Sequence, residues 1–571
     1  MGIFINMIIS KSVTREEWEK VYEETLLLVK KFPFAEKRKI KIHDVDTICL
    51  VPTEERETTY RWNREKTQIG WNTVGDYTYM RTAENYYLPR NLVGDNKVEP
   101  EAGDAIFGAL PAYLPYDWND EKFNHVYQEW GAKTQGEPYH MYLLAIACLI
   151  EARLGTKAFT YGDITRGQCK KAVEIANEYL ESPIEMPDRC DVKRFLKRVS
   201  QLPLSENEQL DVFEKFYLGT KDAAFGAYIR QSFSNEAIEA FWKQEFAGYK
   251  LGTIGFNDCF YNYMLWGFDL ERLCGYVSFQ DGEGNLKYDI FIKCVMDAKF
   301  HLVDKNCEDA LKIDQEEEHP YGIWTLMAQF AFSGAKNKKV NRYIPIKEIR
   351  SALNAGIGDK CNVDEIIDAY LAKEAEQMKI NIMDEDVSDE DFDMAIRQDP
   401  ADAFHQVMEK TRENGLEKLE KYDINDYDDM IFYEKGDTMH PVLMKSLGGS
   451  RKFLDTALEE EEFSELMEED SRRRCEWLIE QNRYFLMRDK DWEKIFADIE
   501  ENKESFGRYY PLFRVRIESD GLMDMSIALL INDDLYAYSK ELAEQEEEEK
   551  NVIFRYCPQL LTCNINMYMV R

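Results

Sequence analysis

The stretch Tyr139-His-Met-Tyr-Leu-Leu-Ala-Ile-Ala-Cys-Leu-Ile-Glu-Ala-Arg-Leu154 decides the fold class. Wound at 3.6 residues per turn it is apolar nearly all round, which predicts the central helix of a bundle. Gly155 supplies the stop, since glycine readily takes the left-handed conformation that ends a helix. Outward from this helix, residues from about 119 to 250 read almost wholly as helix. Ser205-Glu-Asn-Glu208 is a capping box, in which hydroxyl and carboxylate satisfy free backbone amides reciprocally. Ser234 caps a further helix carrying Ala237, Ile238, Phe241, Trp242 and Phe246. Helix pairs recur, yet no signature position repeats at roughly 34 to 45 residues, so a helical solenoid lacks support.

Toward the N-terminus, Ile3–Ile9 reads as a buried strand, and Thr14-Arg-Glu-Glu17 as a capping box for a helix that Pro33 stops. Met1–Ser10 has no basic leader and no small-residue cleavage site, so a strand is expected there and not a signal peptide. Thr47–Val51 reads as another strand. An aromatic segment follows, with Tyr60, Trp62, Trp71, Tyr77, Tyr79, Tyr86 and Tyr87, where Tyr77 and Tyr79 alternate as on one strand face. Four prolines and three glycines in Pro89–Pro115 mark a long loop, with a domain boundary near 118.

Toward the C-terminus, Cys274–Gln280, the turn Asp281-Gly-Glu-Gly284 and Leu286–Val295 predict a β-hairpin. Helices are expected around 322–332, 345–354 and 363–380, before the acidic run Asp384–Asp393. Residues 381–571 carry 24 Lys+Arg against 48 Asp+Glu, a net of −24, and the first 380 carry 48 against 60, a net of −12. That asymmetry predicts a separate acidic unit. It reads as helices to about 505. There Phe513, Val515 and Ile517 alternate with Arg514 and Arg516, and Leu522–Ile531 offers a strand partner for a small closing sheet. The expected class is α+β, predominantly helical: a small mixed N-terminal domain over 1–118, a central helical bundle with a hairpin over 119–380, and an acidic α+β unit over 381–571.

Composition excludes wholesale disorder, for apolar residues make up 44% of the 571 and aromatics 13%. With 72 Lys+Arg against 108 Asp+Glu the net charge is −36, a field that repels nucleic-acid backbones and anionic membranes as main partners. The longest charge-free runs, Pro320–Ala335 and Tyr556–Val570, have 16 and 15 residues, short of the roughly 20 that a membrane span needs. Twelve cysteines occur as singles with no C-x-x-C pair, which suits a reduced, cytosolic compartment and offers no structural zinc spacing.

Three constellations could carry chemistry. Asp281 in the expected turn, followed by Asp297-Ala-Lys299, resembles restriction-endonuclease-like nucleases. In those enzymes two acids hold Mg²⁺ and a lysine stabilises developing charge, so the three side chains must converge. The plainer reading is a surface hairpin with solvated Asp297 and Lys299. Gly448-Gly449-Ser450-Arg451-Lys452 before an expected helix offers amides and cations to an anion, although the full phosphate-loop spacing is absent and an ordinary helix cap explains the same residues. Trp62, Trp71, Tyr77 and Tyr79 could form an aromatic binding surface, against the simpler reading of an aromatic-filled β-layer core. The seven histidines do not cluster, and the acidic runs lack the glycine that a calcium loop needs for its turn.

These readings lead to one expectation and two alternatives. The expectation is a cytosolic, non-enzymatic protein-binding or scaffold protein whose acidic surface meets a basic partner, without metal or cofactor. The alternatives are a Mg²⁺-dependent nuclease or nucleotide-processing enzyme, and an acidic mimic of nucleic acid.

Overall fold

A computed structural model describes residues 3–59, 67–92, 98–99, 102–110, 125–280, 284–298, 300, 344–382, 433–437, 439, 441–482, 486–514 and 520–548. Among them the strands are β1 (Phe4–Ser10), β2 (Phe34–Ile42), β3 (Val45–Pro52), β4 (Arg56–Thr59), β5 (Thr67–Asp76), β6 (Thr82–Pro89), β7 (Val126–Lys133) and β8 (Ala158–Gly162). They form two antiparallel sheets within a mostly helical protein, so the α+β class holds. No helix among the described residues is long and apolar enough to cross a membrane.

The backbone divides into two compact units, each built from separated stretches of chain: Met1–Leu28 with Arg90–Thr411, and Val29–Pro89 with Arg412–Arg571.

In the first unit β1 is the middle strand of the order β7-β1-β8. The expected box opens the helix Arg15–Val29: Glu17 N–H donates to Thr14 Oγ1 (3.2 Å) and Thr14 N–H to Glu17 Oε2 (2.8 Å). The helix Tyr139–Leu154 is buried along nearly its whole length, as its composition requires, and Gly155 ends it at φ +59°. The boxes and caps at Thr165, Ser205 and Ser234 open the helices Arg166–Asn177, Glu206–Phe216 and Asn235–Ala247. The inner faces of the last two meet in an aromatic core. There the Trp242 ring stands edge-on to Tyr263 (5.0 Å) and Trp266 (4.9 Å), pairings that add about 0.5–1.5 kcal/mol each beyond area burial.

In the second unit the sheet order is β3-β2-β5-β4, with β6 also on β5. Gly75 sits at an irregularity of the β5–β6 ladder, where an added Cβ would come 2.1 Å from the Arg81 carbonyl oxygen. The helices Pro441–Thr456, Glu461–Glu468, Ser471–Gln481, Asp489–Glu501, Phe506–Arg514, Asp520–Ile531 and Asp533–Glu548 belong to this unit. Leu50 of β3 donates its N–H to the Met487 carbonyl (2.9 Å), and both residues lie in one core with Trp492, Phe496, Tyr509 and Leu529. The sheet accompanying the C-terminal helices therefore comes from residues 34–89.

Four local expectations are corrected. The stretch 119–250 is not wholly helical, because β7 and β8 flank β1. Val126-Tyr-Gln-Glu-Trp and Ala158-Phe-Thr-Tyr are rich in strand formers, and β1 is a buried strand that needs a ladder on both edges. The expected hairpin over 274–295 is replaced by the helix Tyr288–Asp297, leaving one bridge, Gln280 to Leu286. Phe291, Ile292, Val295 and Met296 are buried at spacings of one and four, the helical period and not the strand period. Near the C-terminus Phe513 lies in the helix Phe506–Arg514 and Leu522–Ile531 in the helix Asp520–Ile531, so no strand forms there among the described residues. Leu522–Ile531 has only Asp524 and Ser526 among apolar residues, too few to separate buried strand from buried helix, and tertiary packing decided. Tyr77 and Tyr79 lie in the turn after β5 and not on a strand face. Residues 322–332, the acidic run 384–393 and the closing stretch 549–571 fall outside the described residues.

Candidate functional site

Asp297 is the last residue of the helix Tyr288–Asp297, and its Oδ1 accepts the Tyr370 hydroxyl at 2.5 Å. Burial first, then this carboxylate, raises the pKa of the Tyr370 phenol, so the hydroxyl stays protonated and keeps donating. Asp281 and Lys299 lie outside the described residues.

The sequence Gly448 to Lys452 does not precede a helix but lies inside Pro441–Thr456, so its amides are engaged in the helical ladder and are not offered to an anion. Gly448 permits a close approach instead: a Cβ there would stand 3.3 Å from the Leu542 backbone. Ser450 lies 3.9 Å from the Met525 sulfur. Arg451 is buried. It donates to Asp455 Oδ1 (2.7 Å), the Tyr536 carbonyl (3.0 Å) and Ser539 Oγ (3.3 Å), and lies 4.1 Å over the Tyr536 ring. Its work is to join two helices.

The aromatic surface is likewise revised. Trp71 is fully buried on β5 and stacks on Phe34 at 5.9 Å. Tyr77 donates its hydroxyl to Asp489 Oδ1 at 2.7 Å. Tyr79 gives its N–H to Asp76 Oδ1, together with that of Thr78. Trp62 lies outside the described residues.

Two arrangements of charge stand out once these are placed. The first is interior. Arg198 of the helix Val192–Val199, 3% exposed at its side chain, forms a bidentate pair with Asp104 (2.9 and 2.7 Å) and stands 3.6 Å from Glu151 Oε1. Arg189 donates to the Thr160 carbonyl and, at 3.1 Å, to the Phe216 carbonyl. The two guanidinium groups lie 5.4 and 5.2 Å from the Phe159 ring centre. Burial raises the pKa of Glu151, and the two arginines and the Thr160 amide oppose it. Around this centre sit the thiols of Cys148, Cys169 and Cys190. The hydrogen bond with Cys148 and burial raise Cys169 against an opposing bond with Cys190, and the bond with Cys169 and burial raise Cys190, so both are thiols and poor nucleophiles. His140, two turns before Cys148 on the same helix, faces Thr134 Oγ1 at 2.7 Å, and burial lowers its pKa to about 4. Every charge here has a counter-charge or a carbonyl. The arrangement ties together the 3₁₀ turn at 105–108, the central helix, β8 and the helix Val192–Val199.

The second arrangement is exterior. The helix Glu461–Glu468 turns Phe463, Leu466 and Met467 toward the core, and Glu462 with Glu460 engages Arg514 (3.1 and 2.7 Å). Its other side carries Glu461, Glu465 and Glu468 at i, i+4 and i+7, all exposed, flanked by exposed Glu459 and Glu469. No cation among the described residues forms an ion pair with these five carboxylates; Arg474 donates to the backbone carbonyl of Glu469. The sequence showed this acidic run but not its geometry, because the apolar positions that orient the helix are few and short-range. The interior centre was invisible, since Asp104, Glu151, Arg189 and Arg198 are scattered singles brought together only by tertiary folding.

Among the described residues no group of three or more His, Cys, Asp or Glu side chains could hold a metal ion. No family model, no curated protein and no solved structure matches this chain.

Proposed function

We propose that the protein is a cytosolic, non-enzymatic binding or scaffold protein that docks a basic partner through its acidic helical face. The observation carrying this reading is the exposed row Glu461, Glu465 and Glu468, paired with no cation among the described residues and set on a helix inside the stretch that holds −24 of the −36 charge. A complementary field raises the encounter rate and suppresses wrong partners, while leaving each exposed pair worth little by itself. Titration with a lysine-rich helical peptide at about 0.15 M salt tests it. Saturable binding that weakens at least tenfold in Glu461→Lys/Glu465→Lys/Glu468→Lys supports the reading, and binding indifferent to that reversal removes it.

The nuclease alternative rests on Asp297 joining Asp281 and Lys299 around Mg²⁺. Cleavage of nucleic acid by the wild type with Mg²⁺, absent from Asp297→Ala, would put that enzyme in place of the scaffold.

A further inference from the structure

Strand β2 carries lysines at alternate positions, Lys37, Lys39 and Lys41, all exposed on the face opposite buried Glu36 and Ile42. Alternate residues of a strand stand about 6.8 Å apart, so the three ammonium groups form a row roughly 14 Å long. β3 runs antiparallel beside it, with Ile48 opposite Lys39 and Asp46 opposite Lys41. Ile48 is 54% exposed. Asp46 approaches Lys39 at 3.3 Å, but both side chains are mostly in water, and such pairs bind weakly. Lys37 and Lys41 have no carboxylate partner among the described residues. The surrounding segment 29–89 holds 11 Lys+Arg against 9 Asp+Glu, a net of +2 in a chain of −36.

We propose that this face of β2 and β3 docks an extended acidic segment of a partner protein, its carboxylates on the lysine row and, on the same face of the segment, an apolar side chain on Ile48. The surface differs from the acidic helix in sign, position and residues, so it stands independently of the function proposed above. Three features select this occupant. An extended peptide repeats its side chains at the same period as the lysine row. The exposed isoleucine beside the row has an apolar counterpart in a peptide and none in a phosphate backbone. A short acidic segment feels mainly charges within the Debye length of about 8 Å, where the patch is basic, whereas a long polyanion also meets the repulsion of the −36 chain.

The test uses the full chain and three fluorescent probes: a ten-residue peptide repeating Glu-Ser-Val-Ser (the Glu/Val peptide), which turns Glu and Val to one face of the strand, the same peptide with Ser for each Val (the Glu/Ser peptide), and a ten-residue oligothymidylate, read by anisotropy at about 0.15 M salt. The expected result is saturable binding of the Glu/Val peptide, at least tenfold weaker in Lys37→Glu/Lys39→Glu/Lys41→Glu. Ile48→Ser is expected to weaken the Glu/Val peptide several-fold and to leave the Glu/Ser peptide unchanged. Circular dichroism matching the wild type assures that both variants are folded. Absence of saturable binding overturns the proposal, as does equal binding by the lysine variant. Tighter lysine-dependent binding of the oligothymidylate than of the peptide overturns it in favour of a nucleic-acid strand.

Discussion

The interior centre of the first unit and the acidic helix of the second use the same charged chemistry to opposite ends. Around Phe159 the charges are buried, paired at 2.7 to 3.6 Å and fixed by carbonyls from several elements. Along Glu461–Glu468 the outward carboxylates face water, and no described cation pairs with them. Buried charges left without partners cost several kcal/mol, so the first set must be mutually satisfied for the unit to fold. Exposed charges cost almost nothing to leave unpaired, so the second set remains free to act on something else. Where a charge is placed, more than how many there are, separates cohesion from recognition.

The comparison breaks most visibly at Arg198. Arg198→Ala leaves Asp104, its side chain 10% exposed, without its counter-charge and buried Glu151 with Arg189 alone, and a loss of about 3–5 kcal/mol is expected in chemical denaturation. A loss under about 1 kcal/mol would place this pair with the surface charges.

The next effect is a pH dependence. Burial lowers the folded pKa of His140 to about 4, against 6.5 when exposed. The folded chain prefers the neutral ring, so this contribution is complete above pH 6.5 and disappears as pH falls toward 4. Its size is about 2–3 kcal/mol. Denaturation midpoints between pH 7 and 4 are expected to fall less steeply in His140→Leu than in the wild type. Parallel profiles would show that the ring is charged or hydrated when folded.

A smaller effect of opposite sign belongs to Asp76, the buried acid of the β5–β6 turn. Burial raises its pKa to about 6 from 3.8, against the two amide hydrogen bonds from Tyr79 and Thr78. Protonation is favoured in the folded state, so stability is complete below pH 3.8 and is lost as pH rises through 6. Asp76→Asn keeps an acceptor for the turn and removes the buried charge. It is expected to stabilise the protein by about 1–2 kcal/mol at pH 7.5 and by nothing at pH 3.5. An equal effect at both values would assign the gain to turn geometry.

Local rules made several elements legible. Thr14 with Glu17, Ser205 with Glu208 and Gly155 mark helix ends through chemistry confined to a few residues, and the structure has those ends. The helix Tyr139–Leu154 was legible because a run apolar all round, and too long for an ordinary strand, has one stable placement in a core. The hairpin failed where Asp281-Gly invited a turn, while the buried spacing of Phe291, Ile292 and Val295 fits a helix. Phe513 and Leu522–Ile531 failed because they pack as helices among other helices, Phe513 with its ring 5.6 Å from that of Trp492, and no local pattern records that packing. Of the site residues, Arg451 was visible as a cation but not as a buried one. No local pattern records that Tyr536 and Ser539, some 85 residues on, would surround it.

The most direct measurement is the urea midpoint of Glu461→Lys/Glu465→Lys/Glu468→Lys beside that of the wild type. If these carboxylates are free for a partner, the stability of the two proteins agrees within about 0.5 kcal/mol. A loss of the size expected for Arg198→Ala would show that the acidic helix is itself part of the internal scaffold, and the division between cohesive and recognising charge would not stand.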